Sequence, residues 1–487
     1  MSALPEWRQC NLPQPPPSTP GSLVRVIGPG ALLLGLSLGS GDWLLGPAIT
    51  AKHGPSILWI CAASVILQAL LNMEMARYTL ATGESIFTGF MRLPPGAGFW
   101  GWTYSLLHLL QVGWPGWALA AATAVAAAFL GRMPRDEDRV VVVTLGYLLF
   151  LGAVAVVVLG DRLQRTVEGL EWGMMAWTLL FLLGIAIFLV PGSAWLQVGG
   201  GFVRPLAGGF WLPANLDWML LVGFAAYSGA GGTINATLTH WLRDKGFGMA
   251  STVAAPPTVI GGQTISLSQP GAVFPPSEAN LAKWRGWWRH LSIGFGYLWV
   301  LGGLLGMALP VAITLAYVKP GTEMGGLAVG AFLARPLGER HGLILWLATL
   351  LTSFWILFST QLGTVEGFTR SVTDILWTAS PRLRRLSARG SVDAVYYAVL
   401  GAFTLGGCVA LTLADPLRLI LISANVAAVN FVILSLHTLW VNRTLLPREL
   451  RPSLWREAVV VACALFFAGL VAMALFRPEE VIGPIGH

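Results

Sequence analysis

The segment LLLGLSLGSGDWLLGPAIT, which runs from Leu32 to Thr50, is apolar over a length that can cross a bilayer, yet Gly39-Ser40-Gly41-Asp42 lies at its middle. An ionisable side chain at that depth is costly and usually functional. Glycines on both sides of Ser40 disfavour a continuous helix. We therefore expect the helix to break there and to leave backbone groups free to contact a ligand.

A second interrupted segment, LLVGFAAYSGAGGTINATLTHW, runs from Leu220 to Trp241. Gly229, Gly231 and Gly232 lie near its middle, so we expect a second break there. Two glycine-broken apolar segments in corresponding halves of a polytopic chain are typical of secondary transporters, where both breaks contribute to the substrate site.

Composition places the chain in a membrane. Of its 487 residues 55% are hydrophobic and 11% are charged, and the mean hydropathy is +0.68. The net charge is +7, but the basic residues lie in short connections between apolar runs, which indicates membrane topology and no nucleic-acid partner. The motifs G-x-x-x-x-G-K-[ST] and H-E-x-x-H are absent from the sequence, so we expect no nucleotide, no cofactor and no enzymatic activity.

The apolar runs predict eleven transmembrane helices. The first begins at 26, and the others cover 55–80, 98–131, 139–160, 167–191, 214–242, 289–317, 341–365, 394–413, 417–440 and 456–476. Alternate connections hold twice as many Lys and Arg residues as the others, which predicts a cytoplasmic N-terminus and an extracytoplasmic C-terminus. We expect a multi-pass protein of the cell membrane, surrounded by lipids.

The sequence also predicts how the chain is divided. Residues 1–24 are polar and proline-rich, which predicts a disordered cytoplasmic tail. The predicted transmembrane core is 25–450, with two five-helix halves at about 26–191 and 214–440, and the helix at 456–476 is an addition to it. The connection 245–282 is rich in Pro, Gly, Ser and Thr and predicts a mobile cytoplasmic loop.

Asp42 is the main candidate for chemistry. Its carboxylate and the carbonyls of an unwound helix can hold a cation together. Alternatively, Asp42 caps the half-helix that follows the break. Asn235, beyond the second break, supplies either an amide oxygen to the same site or a hydrogen bond between helices.

Two charged groups are candidates for ion pairs or gates. Glu74 and Arg77 are three residues apart and share a helix face, which predicts a buried ion pair acting as a structural brace or, alternatively, as a proton relay. Arg243, Asp244 and Lys245 end the sixth span in a charged turn, which is either an inner gate or an ordinary helix terminus at the interface.

The two breaks resemble those of the NRAMP family of proton-coupled divalent metal transporters. That family reads D-P-G-N, usually followed by Trp, at the first break and A-x-x-M-P-H-N at the second. The matching positions here are Gly39, Ser40, Gly41, Asp42 and Trp43 at the first break, and Gly229, Gly232, Thr233, Ile234 and Asn235 at the second. The resemblance implies an all-α LeuT-like fold, a 5+5 inverted repeat with discontinuous first and sixth helices.

The resemblance also implies a changed site. The position of the family's methionine thioether is Gly232, which leaves hard oxygen donors, and a restored methionine there is expected to add a soft donor. The implied substrate site is Asp42, Gly39, Ser40, Gly229, Gly232, Thr233 and Asn235, with Asp42 and Asn235 as metal ligands. The third span, 98–130, contains no Asp or Glu, so proton-coupled symport would need another route than the family's usual one.

We expect a secondary transporter of a divalent cation, with hard ions such as Mg²⁺ or Mn²⁺ favoured, working by alternating access. One alternative is a small organic cation or another non-metal solute, including an anion held at half-helix N-termini. The other alternative is a membrane sensor or scaffold without transport.

Overall fold

The computed structural model describes residues 4–17, 39, 41–159, 161–205, 212–213, 215–253, 257–260, 263–268, 270–386 and 392–476. Predictions for the first part of the first span and for Ser40 lie outside these residues.

The described chain is almost entirely helical. The helices are α1 Gly46–His53, α2 Leu58–Thr82, α3 Ile86–Arg92, α4 Ala97–Val112, α5 Gly116–Leu130, α6 Arg139–Leu159, α7 Asp161–Phe188, α8 Gly192–Phe202, α9 Trp218–Tyr227, α10 Gly232–Asp244, α11 Glu278–Leu291, α12 Trp299–Tyr317, α13 Ala334–His341, α14 Leu343–Ala379, α15 Pro381–Leu386, α16 Asp393–Ala410, α17 Pro416–Leu445 and α18 Leu454–Phe476. The short strands are β1 Arg8–Gln9, β2 Pro257–Ile260, β3 Gln263–Ser266 and β4 Ala272–Val273. Strands β2 and β3 pair antiparallel, and β1 pairs parallel with β4.

Apolar length identifies most of the predicted spans. Within the described residues eight helices are long and apolar enough to cross a membrane, or nine if α7 and α8, bent by 110° at their junction, form one span. The first and sixth predicted spans do not meet this test because each is divided into short pieces: α1 has 8 residues, and α9 and α10 have 10 and 13. The total of eleven spans therefore remains a prediction.

Several spans are less regular than their hydropathy predicts. The third span is divided between α4 and α5 at Gly113-Trp114-Pro115, where the proline cannot donate a helical hydrogen bond. The seventh begins with α11 at Glu278, eleven residues before its predicted start at 289, and the Ser277 hydroxyl accepts the Asn280 N–H as an N-cap. Hydropathy cannot find this start, because the first turns of α11 are polar.

The two broken spans pack against each other inside the bundle. A π-helical turn, Gly41–Leu45, precedes α1 and contacts α9 and α12. Helix α9 also packs on α17 and α18, while α10 packs on α2 and α17. Both breaks are therefore enclosed by continuous helices.

The prediction of a disordered tail is wrong for residues 4–17. Strand β1 pairs with β4, and Leu12 is fully buried, with its N–H donating to the Asn280 Oδ1 at 3.2 Å. The carbonyls of Leu12 and Pro13 accept from Lys283 and Trp287 on α11. Side chains of the bundle thus satisfy the extended backbone, so its proline content does not leave this part disordered. The rest of the predicted tail lies outside the described residues.

The connection 245–282 is only partly a loop. A 3₁₀ turn, Gly248–Thr252, buries Met249 and Ala250, and Ala272 in β4 is buried as well. The Gly271 N–H donates to the Glu84 carboxylate at 2.8 Å. The described ends of this connection therefore pack on the bundle, which corrects the prediction of a mobile loop for those residues.

Candidate functional site

The first break is a tightly wound turn. The Trp43 N–H donates to the Gly39 carbonyl at 3.1 Å, and the Trp43 Nε1 donates to the Ser353 hydroxyl on α14 at 2.9 Å. A Cβ at Gly41 would collide with the backbone carbonyl of Tyr227, the last residue of α9. Glycine at 41 thus allows the two broken spans to touch through their backbones.

Asp42 lies on this turn with 1% of its surface exposed. Within the described part of the chain, neither carboxylate oxygen has a hydrogen-bond partner. The N-cap of α1 is Leu45, and no side chain caps that helix, so the structure does not support the alternative in which Asp42 caps it. A carboxylate buried without a partner is unfavourable unless a cation or a proton compensates for it.

The second break separates α9 from α10. Residues 228–231 are not helical, and Gly231 and Gly232 have φ angles of 92° and 47°. Few residues other than glycine adopt such angles readily. The predicted break in the sixth span is therefore present, with its glycines at the turn.

Gln68, on α2, closes the α9 side of this break. Its Nε2 donates to the carbonyls of Ala225 and Ala226 at 3.3 and 3.2 Å, which are among the last carbonyls of α9. A Cβ at Gly229 would lie against the Gln68 Oε1, well inside contact distance. The amide oxygen of Gln68 thus occupies the place where residue 229 would otherwise have a side chain.

Gln111, on α4, closes the α10 side in the same way. Its Oε1 accepts from the Thr233 N–H and hydroxyl, both at 2.9 Å, and its Nε2 donates to the Gly231 carbonyl at 2.9 Å. A Cβ at Gly232 would collide with the same Oε1 and would lie 2.9 Å from the Ala427 backbone. The position aligned with the family's methionine therefore points into protein, and the expectation that a methionine there adds a ligand has no room to be met.

Asn235 lies one turn into α10 and is fully buried. Its Nδ2 donates to the Asn72 Oδ1 at 2.9 Å and to the Gln68 Oε1 at 3.3 Å. Within the described residues its Oδ1 has no hydrogen-bond partner. Asn235 therefore joins helices, as one alternative predicted, and also leaves an oxygen unpaired, as the other requires.

The predicted site residues thus gather at two points. Gly229, Gly232, Thr233 and Asn235 lie around the two glutamines, while Asp42 lies on the neighbouring turn and has no hydrogen bond to Asn235 in the described residues. Cys61, on α2, is close to both Asp42 and Ser228 and links the two points. In the described chain no three residues among His, Cys, Asp and Glu cluster as a metal site. The donors present at the breaks are oxygens, which suit a hard cation.

The Glu74 and Arg77 pair is buried and joined to further groups. The Arg77 Nε lies 2.6 Å from a Glu74 carboxylate oxygen, and the Arg77 Nη1 donates to the Leu450 carbonyl. Arg456, on α18, pairs with the same carboxylate at 3.0 Å. These contacts tie α2 to α18 and favour the structural brace over the proton relay.

Arg243 makes more contacts than an ordinary helix terminus needs. It is buried at the end of α10, 2.8 Å from the Asp374 carboxylate on α14 and 2.9 Å from Asp244. Its Nη1 also donates to the Ser268 hydroxyl at 2.6 Å. Lys245, by contrast, is exposed. Arg243 therefore connects the half-helix α10 to α14 and to the connection 245–282, which is compatible with a gate.

Gln68 and Gln111 are the residues that the sequence analysis missed. Each is a single amide in an otherwise apolar run, VILQALL and LHLLQVGW, and an amide at membrane depth requires partners. That signal was available. The partners, on α9 and α10, could only be seen in the folded chain.

Comparison with solved structures agrees with this geometry. Two single-residue variants of the Eremococcus coleocola manganese transporter match with TM-scores of 0.57 and 0.56, at 13% and 12% identity, over 98% of this chain and 92% of theirs. The same transporter in complex with an aromatic bis-isothiourea substituted compound matches with a TM-score of 0.55 at 12% identity, over 96% of this chain and 90% of the other. No protein-family model and no curated protein matches the sequence.

At this identity the likeness establishes the fold, which is that of a multi-pass membrane transporter. The predicted LeuT-like class is confirmed, and the resemblance inferred from the two breaks agrees with the transporter that the chain matches.

Proposed function

We propose that the protein is a secondary transporter of a divalent metal cation, with hard ions such as Mg²⁺ or Mn²⁺ favoured, working by alternating access in the cell membrane. The observation that carries the proposal is the Asp42 carboxylate, buried at a helix break with both oxygens unpaired in the described chain. A cation that leaves water at mid-membrane needs a counter-charge, and Asp42 can supply it. The fold shared with a manganese transporter supports the same class of cargo.

The alternative of a bound anion is less well supported. Gln111 accepts from the Thr233 N–H at the start of α10, so this donor at the half-helix N-terminus is already used. An uncharged or cationic organic solute, and a sensor without transport, are separated from the proposal by measurement.

The test is uptake into proteoliposomes that contain the purified protein. We expect uptake of Mn²⁺ or Mg²⁺ by the unchanged protein and none by Asp42→Asn, which keeps the shape but removes the charge. The panel includes a small quaternary ammonium ion and an anion, and a pH-sensitive dye inside the vesicles reports proton coupling. Uptake of only an organic solute, or equal uptake by both proteins, would contradict the proposal.

The orientation with a cytoplasmic N-terminus is proposed together with the function, on the bias of basic residues. A reporter at the C-terminus should then be extracytoplasmic, and a tag between residues 250 and 280 should be cytoplasmic. A cytoplasmic C-terminal reporter would show that the number of spans is even.

A further inference from the structure

The Asn235 side chain is held with a defined polarity. A carboxamide has two N–H donors and one carbonyl oxygen. The Asn235 Nδ2 donates to both the Asn72 Oδ1 and the Gln68 Oε1, at 2.9 and 3.3 Å, which uses both donors. The only group left over is the Oδ1, which is buried and has no partner among the described residues.

Gln68 sets this polarity because its own amide cannot turn round. Its Nε2 donates to the carbonyls of Ala225 and Ala226 and to the Ser64 hydroxyl, at 3.3, 3.2 and 3.0 Å. Backbone carbonyls only accept, so a reversed Gln68 amide would place its oxygen against two other oxygens. The Gln68 Oε1 must therefore face Asn235 and can only accept from it. Direction passes from the end of α9 through Gln68 to the Asn235 oxygen.

We propose that Gln68 is a positioning residue that fixes the Asn235 carboxamide so that its oxygen, and not its NH₂ group, is presented to the transported cation. This inference rests on the proposed function and specifies how the site selects its cargo. With the Asp42 carboxylate and the Asn235 oxygen, the site offers acceptors that attract a hard cation and repel an anion. An Asn235 turned the other way would offer donors and would repel the same cation.

The first experiment tests the polarity without any cargo. Asn235→Asp replaces the donor with a carboxylate oxygen, which then opposes the Gln68 Oε1. We expect thermal unfolding in detergent to occur at a lower temperature, with a loss that grows from about pH 5 to pH 8, because a protonated acid still donates to Gln68 whereas the carboxylate cannot. Adding Gln68→Met should restore most of the loss, since the thioether removes the opposing oxygen.

Gln111→Met is the matched control for this rescue. Gln111 is also a buried amide that closes the same break, but its hydrogen bonds run to Gly231, Thr233 and Asn430 and not to Asn235. It should not rescue Asn235→Asp. An Asn235→Asp variant as stable as the unchanged protein at pH 8, or equal rescue by the two methionine variants, would overturn the proposal.

The second experiment tests the effect on cargo, with Mn²⁺ as the probe in calorimetric titrations. Gln68→Met should weaken Mn²⁺ binding about tenfold when residue 235 is asparagine, and much less in the Asn235→Asp background, because a carboxylate presents oxygen at either end. An equal loss in both backgrounds would mean that Gln68 acts only on stability, and the proposal would fail while the transport function stands. Absence of Mn²⁺ and Mg²⁺ binding by the unchanged protein would instead overturn the proposed function, and the stability experiment would still decide whether Gln68 sets the polarity.

Discussion

Asp42, at the break of the first span, is buried with no hydrogen-bond partner in the described chain, whereas the break of the sixth span is closed on both sides by Gln68 and Gln111. Both breaks contain glycines within an apolar run and look alike in sequence. The difference shows that an interrupted helix does not by itself expose backbone groups to a ligand, because neighbouring side chains can satisfy them. Binding is to be sought where a buried polar group lacks a partner.

The largest effect is expected from Asp42→Asn, which removes the one charge at the unpaired break. Uptake of Mn²⁺ into proteoliposomes should fall about a hundredfold or more, because the cation loses its counter-charge. Thermal stability in detergent should not fall, since the carboxylate has no hydrogen bond to lose within the described residues. A variant that unfolds earlier but transports normally would assign Asp42 a structural role.

A change at the closed break should act on stability instead. Gly232→Met places a side chain against the Gln111 Oε1 and the Ala427 backbone at a φ of 47°. Backbone strain and overpacking together should lower the free energy of unfolding by about 2–4 kcal/mol, with no gain in Cd²⁺ affinity.

Gly131→Met is the control for Gly232→Met. Gly131 has a similar φ of 65° but no atom within 4 Å of an added Cβ, so only the backbone strain should remain. Thermal unfolding of the two variants separates the terms. Tighter Cd²⁺ binding by Gly232→Met in calorimetry would show that position 232 faces the cargo after all.

Asn235→Ala tests the one oxygen that the closed break leaves unpaired. Loss of a neutral ligand should weaken Mn²⁺ binding by about 1–2 kcal/mol, or roughly tenfold, which is less than the effect at Asp42. Calorimetry of the two variants under the same conditions gives the comparison. Should Asn235→Ala bind Mn²⁺ as tightly as the unchanged protein, only the first break would contribute to the site.

The smallest effect is expected where the two broken spans meet at their solvent-facing ends. Lys52 pairs with Asp217 at 3.4 Å and with Glu323 at 3.0 Å, and its side chain is 30% exposed. Lys52→Met should therefore change the free energy of unfolding by less than about 1 kcal/mol. A larger loss in thermal unfolding would show that these ends, and not the backbone contact at Gly41, hold the two spans together.

Sequence predicted the parts of this molecule that depend on local pattern. Apolar length located most spans, glycines marked the break at 229–232, and a single acid in an apolar run identified Asp42. It failed where polar residues take part in packing. Leu12 is buried within a proline-rich segment, and α11 begins among polar residues at Glu278, because partners distant in sequence stabilise both.

What the sequence by itself determined is a polytopic, all-helical chain with glycine breaks and one acid at mid-membrane, since hydropathy and backbone freedom are properties of neighbouring residues. Only the tertiary structure decided which break is free. Gln68 lies 157 residues from Ala225, and Gln111 lies 122 residues from Thr233, so their hydrogen bonds have no local signature. Folding brings α2 and α4 against the broken sixth span, satisfies its backbone groups and leaves the oxygens of Asp42 and Asn235 unpaired within the described chain.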